Sequence, residues 1–122
     1  MATTVLVVDD SVTVRQQIGS ALVEAGFGVV EASDGVEGKD RIAAGGIACV
    51  ICDVNMPNKN GIELLEEIKS ESQYQQLPVL MLTTEGLADV MARAKKAGAA
   101  GWIVKPFNPN LLVNAVKKLI AK

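Results

Sequence analysis

Thr4-Val5-Leu6-Val7-Val8-Asp9-Asp10-Ser11 is the stretch from which the rest of the chain can be read. A β-branched and aliphatic run without polar alternation suits a strand buried on both faces, as in a parallel sheet covered by helices. It breaks off at two carboxylates, and Ser11 then offers a helix start. Beyond it, Val14, Ile18, Ala21, Leu22 and Ala25 recur at helical spacing, and Gly26 stands where a left-handed C-cap would. The repeating unit is a strand, a polar turn and a helix.

The unit recurs down the chain. Val29 to Ala32 reads as a second strand, and Gly35 to Ala44 as a weaker helix, because Gly38 interrupts it and its apolar stripe is thin. Ile47 to Cys52 is a continuous apolar strand ending in Asp53. A loop rich in Asn and Pro leads to a helix that Gly61 opens and that carries Ile62, Leu65 and Ile68. Pro78 to Leu82 is the fourth strand; Leu87, Val90, Met91, Ala94 and Ala97 form a helical stripe closed by Gly98. Trp102 to Val104 is the fifth strand, and Leu111, Leu112, Ala115, Val116, Leu119 and Ile120 give the last helix an apolar face. Five strands alternating with five helices predict an α/β three-layer sandwich with right-handed crossovers.

With 122 residues there is room for one domain, spanning 1–122. A content of 49% hydrophobic and 21% charged residues is that of an ordinary globular chain and excludes disorder. The sequence lacks an apolar run of about 18 residues and an export signal, so a cytoplasmic protein without a membrane partner is expected. The net charge of −2 hides an asymmetry: residues 1–85 carry −8 and residues 86–122 carry +6. Histidine is absent, so any chemistry runs on carboxylates.

The strand ends carry the chemistry. Asp9 and Asp10 follow the first strand, Asp53 the third, Thr83 the fourth and Lys105 the fifth. In open parallel sheets ligands bind outside the carboxyl ends of the strands, where these side chains would converge. Carboxylates held close together cannot all ionise cheaply, and a divalent cation resolves the conflict. Oxygen donors without histidine favour a hard ion, and few carboxylates favour Mg²⁺ over Ca²⁺. One aspartate at a strand end is as often a helix cap as a ligand. A set of aspartates, a hydroxyl and a lysine at successive strand ends points to a site.

The strings Leu6-Val7-Val8-Asp9-Asp10, Asp53-Val54-Asn55-Met56-Pro57, Gly61, Leu82-Thr83 and Lys105-Pro106-Phe107 resemble the receiver domain of two-component response regulators, in order and over nearly the whole chain. The resemblance implies a flavodoxin-like (CheY-like) sheet of order 2-1-3-4-5. It implies that Asp53 is the phosphoacceptor for a phosphohistidine on a histidine kinase, CheA-like in the chemotaxis subgroup. Mg²⁺ would be bound by Asp10, Asp53 and the backbone carbonyl of Asn55, with Asp9 holding it through water. Thr83 and Lys105 would contact the phosphoryl oxygens, and the Lys105-Pro106 peptide bond is commonly cis in the family. On this reading the chain is a signalling receiver rather than an enzyme, catalysing only its own phosphorylation and dephosphorylation.

In such receivers the hydroxyl at Thr83 moves toward the phosphoryl group while an aromatic residue on the fifth strand turns inward; here that residue is Trp102, where Tyr or Phe is usual. Asn55 and Glu85 flank the path of an attacking water, and neither is bulky and apolar, so a short-lived phosphoryl state is expected. Arg93, Lys95, Lys96, Lys117, Lys118 and Lys122 frame the face of the fourth helix, fifth strand and fifth helix through which receivers meet a downstream protein. The negative total and the absence of interleaved aromatics exclude nucleic acid. The expectation is a stand-alone, monomeric, chemotaxis-type receiver. Because Gly86-Leu87-Ala88 lacks the lysines of flagellar-switch binders, a phosphate sink or relay intermediate stays open, as does a phosphatase partner. A Mg²⁺-dependent aspartyl phosphatase would want an aspartate at position 55. Cys49 and Cys52 have C-x-x-C spacing, but residues three apart on a strand face opposite ways, so both are expected to be core residues.

Overall fold

Apolar side chains on both faces of every strand leave a sheet no solvent-facing side, and helices must cover it twice. The computed structural model, which describes residues 3–54, 60–83 and 88–120, has that arrangement. Strands β1 (Thr4–Val8), β2 (Gly28–Ala32), β3 (Ile47–Asp53), β4 (Val79–Thr83) and β5 (Gly101–Val104) are parallel and pair in the order β2-β1-β3-β4-β5. Helices α1 (Val12–Glu24), α2 (Gly35–Ala43), α3 (Gly61–Ser70), α4 (Ala88–Ala97) and α5 (Pro109–Ile120) alternate with them. The chain builds outward from β1 in one direction to β2 and then in the other to β3, so the strand order reverses between β1 and β3. That crevice is where an open α/β sheet binds its ligands.

Alternate residues of each strand feed two separate cores. Leu6, Val8, Val50, Cys52 and Met81 pack with Ile42, Leu64, Leu65, Ile68 and Ala94 under α2, α3 and α4. Val5, Val7, Cys49, Ile51, Leu80 and Leu82 pack with Ile18, Leu22, Leu112 and Val116 under α1 and α5. Each fully buried aliphatic side chain contributes about 1.5–3 kcal/mol, so both layers are needed to hold the sheet. Cys49 and Cys52 fall in opposite cores, both as free thiols, as the strand period requires.

Local signals set the helix starts. The Ser11 hydroxyl accepts from Val14 N at 3.2 Å, the Asp34 carboxylate accepts from Glu37 N at 2.8 Å, and Asn60 forms a reciprocal capping box with Glu63. Gly26, with φ +99°, ends α1 in the left-handed region as its position suggested. Gly38, by contrast, does not interrupt α2. A Cβ there would lie 3.2 Å from both a Leu64 and a Val8 methyl, so its missing side chain lets the helix close onto the sheet. Two further differences matter for function: Asp53 and Thr83 belong to β3 and β4 themselves, and a 3₁₀ turn at Ser72–Tyr74, too short to show a period, joins α3 to β4. No helix among the described residues is long and apolar enough to cross a membrane.

Candidate functional site

The ladder fixes the floor of the crevice. Val8 and Cys52 are register partners on β1 and β3, so the residues that follow, Asp9 and Asp53, emerge side by side. Asp53 in turn pairs with Leu82, whose successor Thr83 pairs with Val104, whose successor is Lys105. Lys105 N donates to the Thr83 carbonyl at 2.7 Å and extends the ladder past the end of β5. Four side chains from four strands are thereby delivered to one edge without any long loop.

Their geometry is that of a charged pocket with a dry floor. Asp9, Asp53 and Thr83 are 0%, 3% and 4% exposed, the only buried polar residues among those described, whereas Asp10 stands at the solvent rim. A carboxylate oxygen from each of Asp9, Asp10 and Asp53 lies within 4.8 Å of the others. Lys105 Nζ donates to Asp9 Oδ2 at 3.0 Å and sits 3.4 Å from Asp53 Oδ2. Burial pulls the ammonium down, but the Asp9 hydrogen bond and the charges of Asp53 and Asp9 outweigh it, and Lys105 is held above the ordinary lysine range. The Lys105-Pro106 peptide bond is cis, as the resemblance implied.

Among the described residues, the one ammonium of Lys105 pairs with the buried carboxylates, which leaves the three aspartates in net negative excess, with hard oxygen donors close to one another. That donor set fits a divalent ion of the Mg²⁺ class, which takes one or two carboxylates and keeps waters in the rest of its shell. Asp9 Oδ1 also accepts from Ser11 N at 2.9 Å, an Asx turn ahead of the Ser11 cap of α1.

Gly61 fixes the back of the site. Its N–H donates to the Val54 carbonyl at 2.9 Å, and a Cβ on it would stand 2.1 Å from the Asp53 carbonyl oxygen. Only glycine lets the start of α3 press against the backbone that carries Asp53. Trp102 is half-buried on β5, opposite Met81, against the core under α2, α3 and α4. Asn55 and Glu85 lie outside the described residues, as does Lys122. Arg93 turns from the expected docking face to α3, where it meets Glu66 at 2.9 Å. The sequence reading also passes over Arg15, whose guanidinium donates to the Asp9 carbonyl at 2.6 Å; a cation in the opening turns of a helix was the available signal.

Buried paired aspartates, a hydroxyl and a bridging lysine at the switch point of a 2-1-3-4-5 sheet coincide with a family match, because residues 5–117 match the response regulator receiver domain. The chain belongs to that family. Chemotaxis protein CheY1 of Helicobacter pylori is 42% identical over 109 residues, covering 88% of this chain and 88% of the relative. A CheY homolog of Campylobacter jejuni is 39% identical over 117 residues, covering 94% and 90%. Among solved structures, chemotaxis protein CheY4 of Vibrio cholerae superposes with a TM-score of 0.92 at 39% identity, covering 98% of this chain and 99% of that one. Receivers are signalling regulators, and the acidic cluster of this receiver stands where the sheet topology puts a ligand.

Proposed function

We propose that this receiver is a chemotaxis-type phosphorelay regulator in which Asp53 accepts a phosphoryl group from a phosphohistidine on a histidine kinase of the CheA class. The observation that carries the reading is the single ammonium of Lys105 bridging carboxylates from β1 and β3, at 3.0 and 3.4 Å. Phosphoryl transfer asks for a positioned nucleophile and fixed positive charge on the transferring oxygens, and for little covalent chemistry beyond these. Asp53 supplies the nucleophile: a carboxylate oxygen forms the bond to phosphorus as the bond to the donor nitrogen breaks. On this reading Lys105 neutralises the developing charge from one side, and the Thr83 hydroxyl donates to a phosphoryl oxygen. Mg²⁺ held by Asp10, Asp53 and the Asn55 carbonyl, with Asp9 through water, would supply further positive charge on those oxygens.

Thr83 and Trp102 form the switch on this reading. A hydroxyl drawn to the phosphoryl group frees space that the half-buried indole can enter, changing the face of α4, β5 and α5 that a downstream protein reads. Beryllofluoride in place of phosphate should change Trp102 emission. The reading extends to a monomeric receiver with a short-lived phosphoryl group tuned by Asn55 and Glu85.

Incubation with acetyl phosphate and Mg²⁺ tests the core of it. The expected result is one phosphoryl adduct by intact mass, acid-stable and base-labile, absent from Asp53→Asn. Steady turnover of unrelated phosphate esters, or an adduct that survives in Asp53→Asn, would sink the reading and favour a phosphatase or another acceptor.

A further inference from the structure

We propose that Arg15 is a positioning residue for the divalent-cation site, holding the Asp9–Asp10 peptide so that the exposed Asp10 carboxylate is aimed at the buried pair; this rests on the reading of the acidic cluster as a Mg²⁺ site. Arg15 is the only cation on α1 and sits in its opening turns, where no acidic residue accompanies it. A positive charge there opposes the helix dipole by about 0.3–1 kcal/mol, so its placement is accounted for by what the guanidinium reaches. Its side chain is 14% exposed, and it forks in two directions. Nη1 donates to the Asp9 carbonyl at 2.6 Å, and Nε donates to Glu31 Oε1 on the edge strand β2 at 3.0 Å.

The Asp9 carbonyl belongs to the planar unit joining Asp9 to Asp10, and holding its oxygen sets the direction in which Asp10 leaves. Asp9 itself needs no such help. Its N–H donates to the Ala32 carbonyl at 3.1 Å, Oδ1 accepts from Ser11 N at 2.9 Å and Oδ2 accepts from Lys105 at 3.0 Å. Asp10 is exposed, and its carboxylate shares no hydrogen bond or ion pair with another described residue. Its aim is inherited from the backbone, and Arg15 is the side chain that tethers that backbone, with Glu31 holding the other arm of the fork. A rigid planar fork fixes the directions of its two acceptors, whereas a lysine ammonium is a point charge on a flexible stem.

Charge and position make opposite forecasts. As a nearby positive charge, Arg15 repels a divalent cation, so charge alone predicts tighter Mg²⁺ binding once it is removed. As a positioning residue, its removal weakens binding. Isothermal titration of the whole chain with MgCl₂ at physiological ionic strength separates the two. Partners that orient metal ligands cost tenfold or more in affinity when lost, so Arg15→Ala should bind about tenfold more weakly, and Arg15→Lys, which keeps a donating cation but loses the fixed fork, roughly threefold. Unchanged or tighter binding by folded Arg15→Ala overturns the proposal, and so does a loss that Arg15→Lys fails to recover in part. Should circular dichroism show Arg15→Ala unfolded, the exposed Glu31→Ala decides. Run in high salt to screen its charge, it should weaken binding by roughly threefold, and wild-type affinity overturns the proposal. Absence of Mg²⁺ binding by the wild type, or wild-type binding by Asp10→Asn, would instead defeat the reading of the cluster.

Discussion

Two lysines stand at opposite ends of this sheet and do opposite things with partial burial. Lys105, past the carboxyl end of β5, lies between two carboxylates and is held above the ordinary lysine range despite desolvation. Lys69, at the end of α3, donates to the carbonyls of Tyr74, Gln75 and Leu77 ahead of β4, at 2.5–3.4 Å. Burial pulls it below the ordinary range, since carbonyl dipoles do not offset the lost hydration as full charges do. The first lysine answers a surplus of negative charge that the fold has concentrated. The second ties together carbonyls of the short 3₁₀ connection, of which Tyr74 O also accepts from Leu77 N at 3.0 Å. Charge is concentrated at one end of the sheet and serves as a rivet at the other.

Substitution by methionine, which keeps the stem and removes the ammonium, is the sharpest way to break the contrast. Lys105→Met should slow phosphorylation by acetyl phosphate about 100-fold, as loss of one preorganised donor does in other transfer sites; Lys69→Met should stay within about twofold of wild type, and a large loss there would erase the distinction. Ligand linkage gives the next effect. Mg²⁺ at ten times its Kd should stabilise the wild type and Lys69→Met alike by about 1.4 kcal/mol in denaturant titration, and Asp10→Asn not at all. Lys69→Met should lower stability by about 1 kcal/mol through its freed carbonyls, readable as a fall in Tm of about 4 °C.

The smallest effect has a sign that differs between the two. A lysine whose folded pKa is raised contributes stability below its unfolded pKa of about 10.4 and loses it as pH rises through the folded value. One whose folded pKa is lowered carries a penalty at neutral pH that is relieved as pH climbs from its folded value toward about 10.4. In EDTA, the stability difference between wild type and Lys69→Met should therefore move in favour of wild type with rising alkaline pH, and that for Lys105→Met should move against it. Parallel slopes would mean that the two sites are not electrostatically distinct.

The same contrast explains what could be read in the sequence. Asp9, Asp10, Asp53, Thr83 and Lys105 were legible because each follows or ends an apolar strand, and parallel strands bring their ends together whatever the loops do. Strand order came with the family resemblance and not from periodicity. Arg15 showed only as a cation in the opening turns of a helix and Lys69 not at all, because their principal partners are backbone carbonyls, which leave no mark in a sequence, and Glu31 lies across a neighbouring strand. Gly38 was misread for a related reason: its meaning is the Val8 and Leu64 methyls packed above it, contacts that only the tertiary fold creates. Arg93 showed as one of a basic set, and its Glu66 partner became visible only when α3 and α4 came together.

The division of the core by the sheet has a consequence for how such a protein can change. Helix α4 rests on one core through Ala94 and α5 on the other through Leu112 and Val116, with β5 at the rim between them. A partner that touches both helices therefore senses two compartments separated by a layer of backbone. Substitutions on one side should combine additively with those on the other. The surface that greets a partner can then be remodelled one half at a time, while the residues at the strand ends stay as they are.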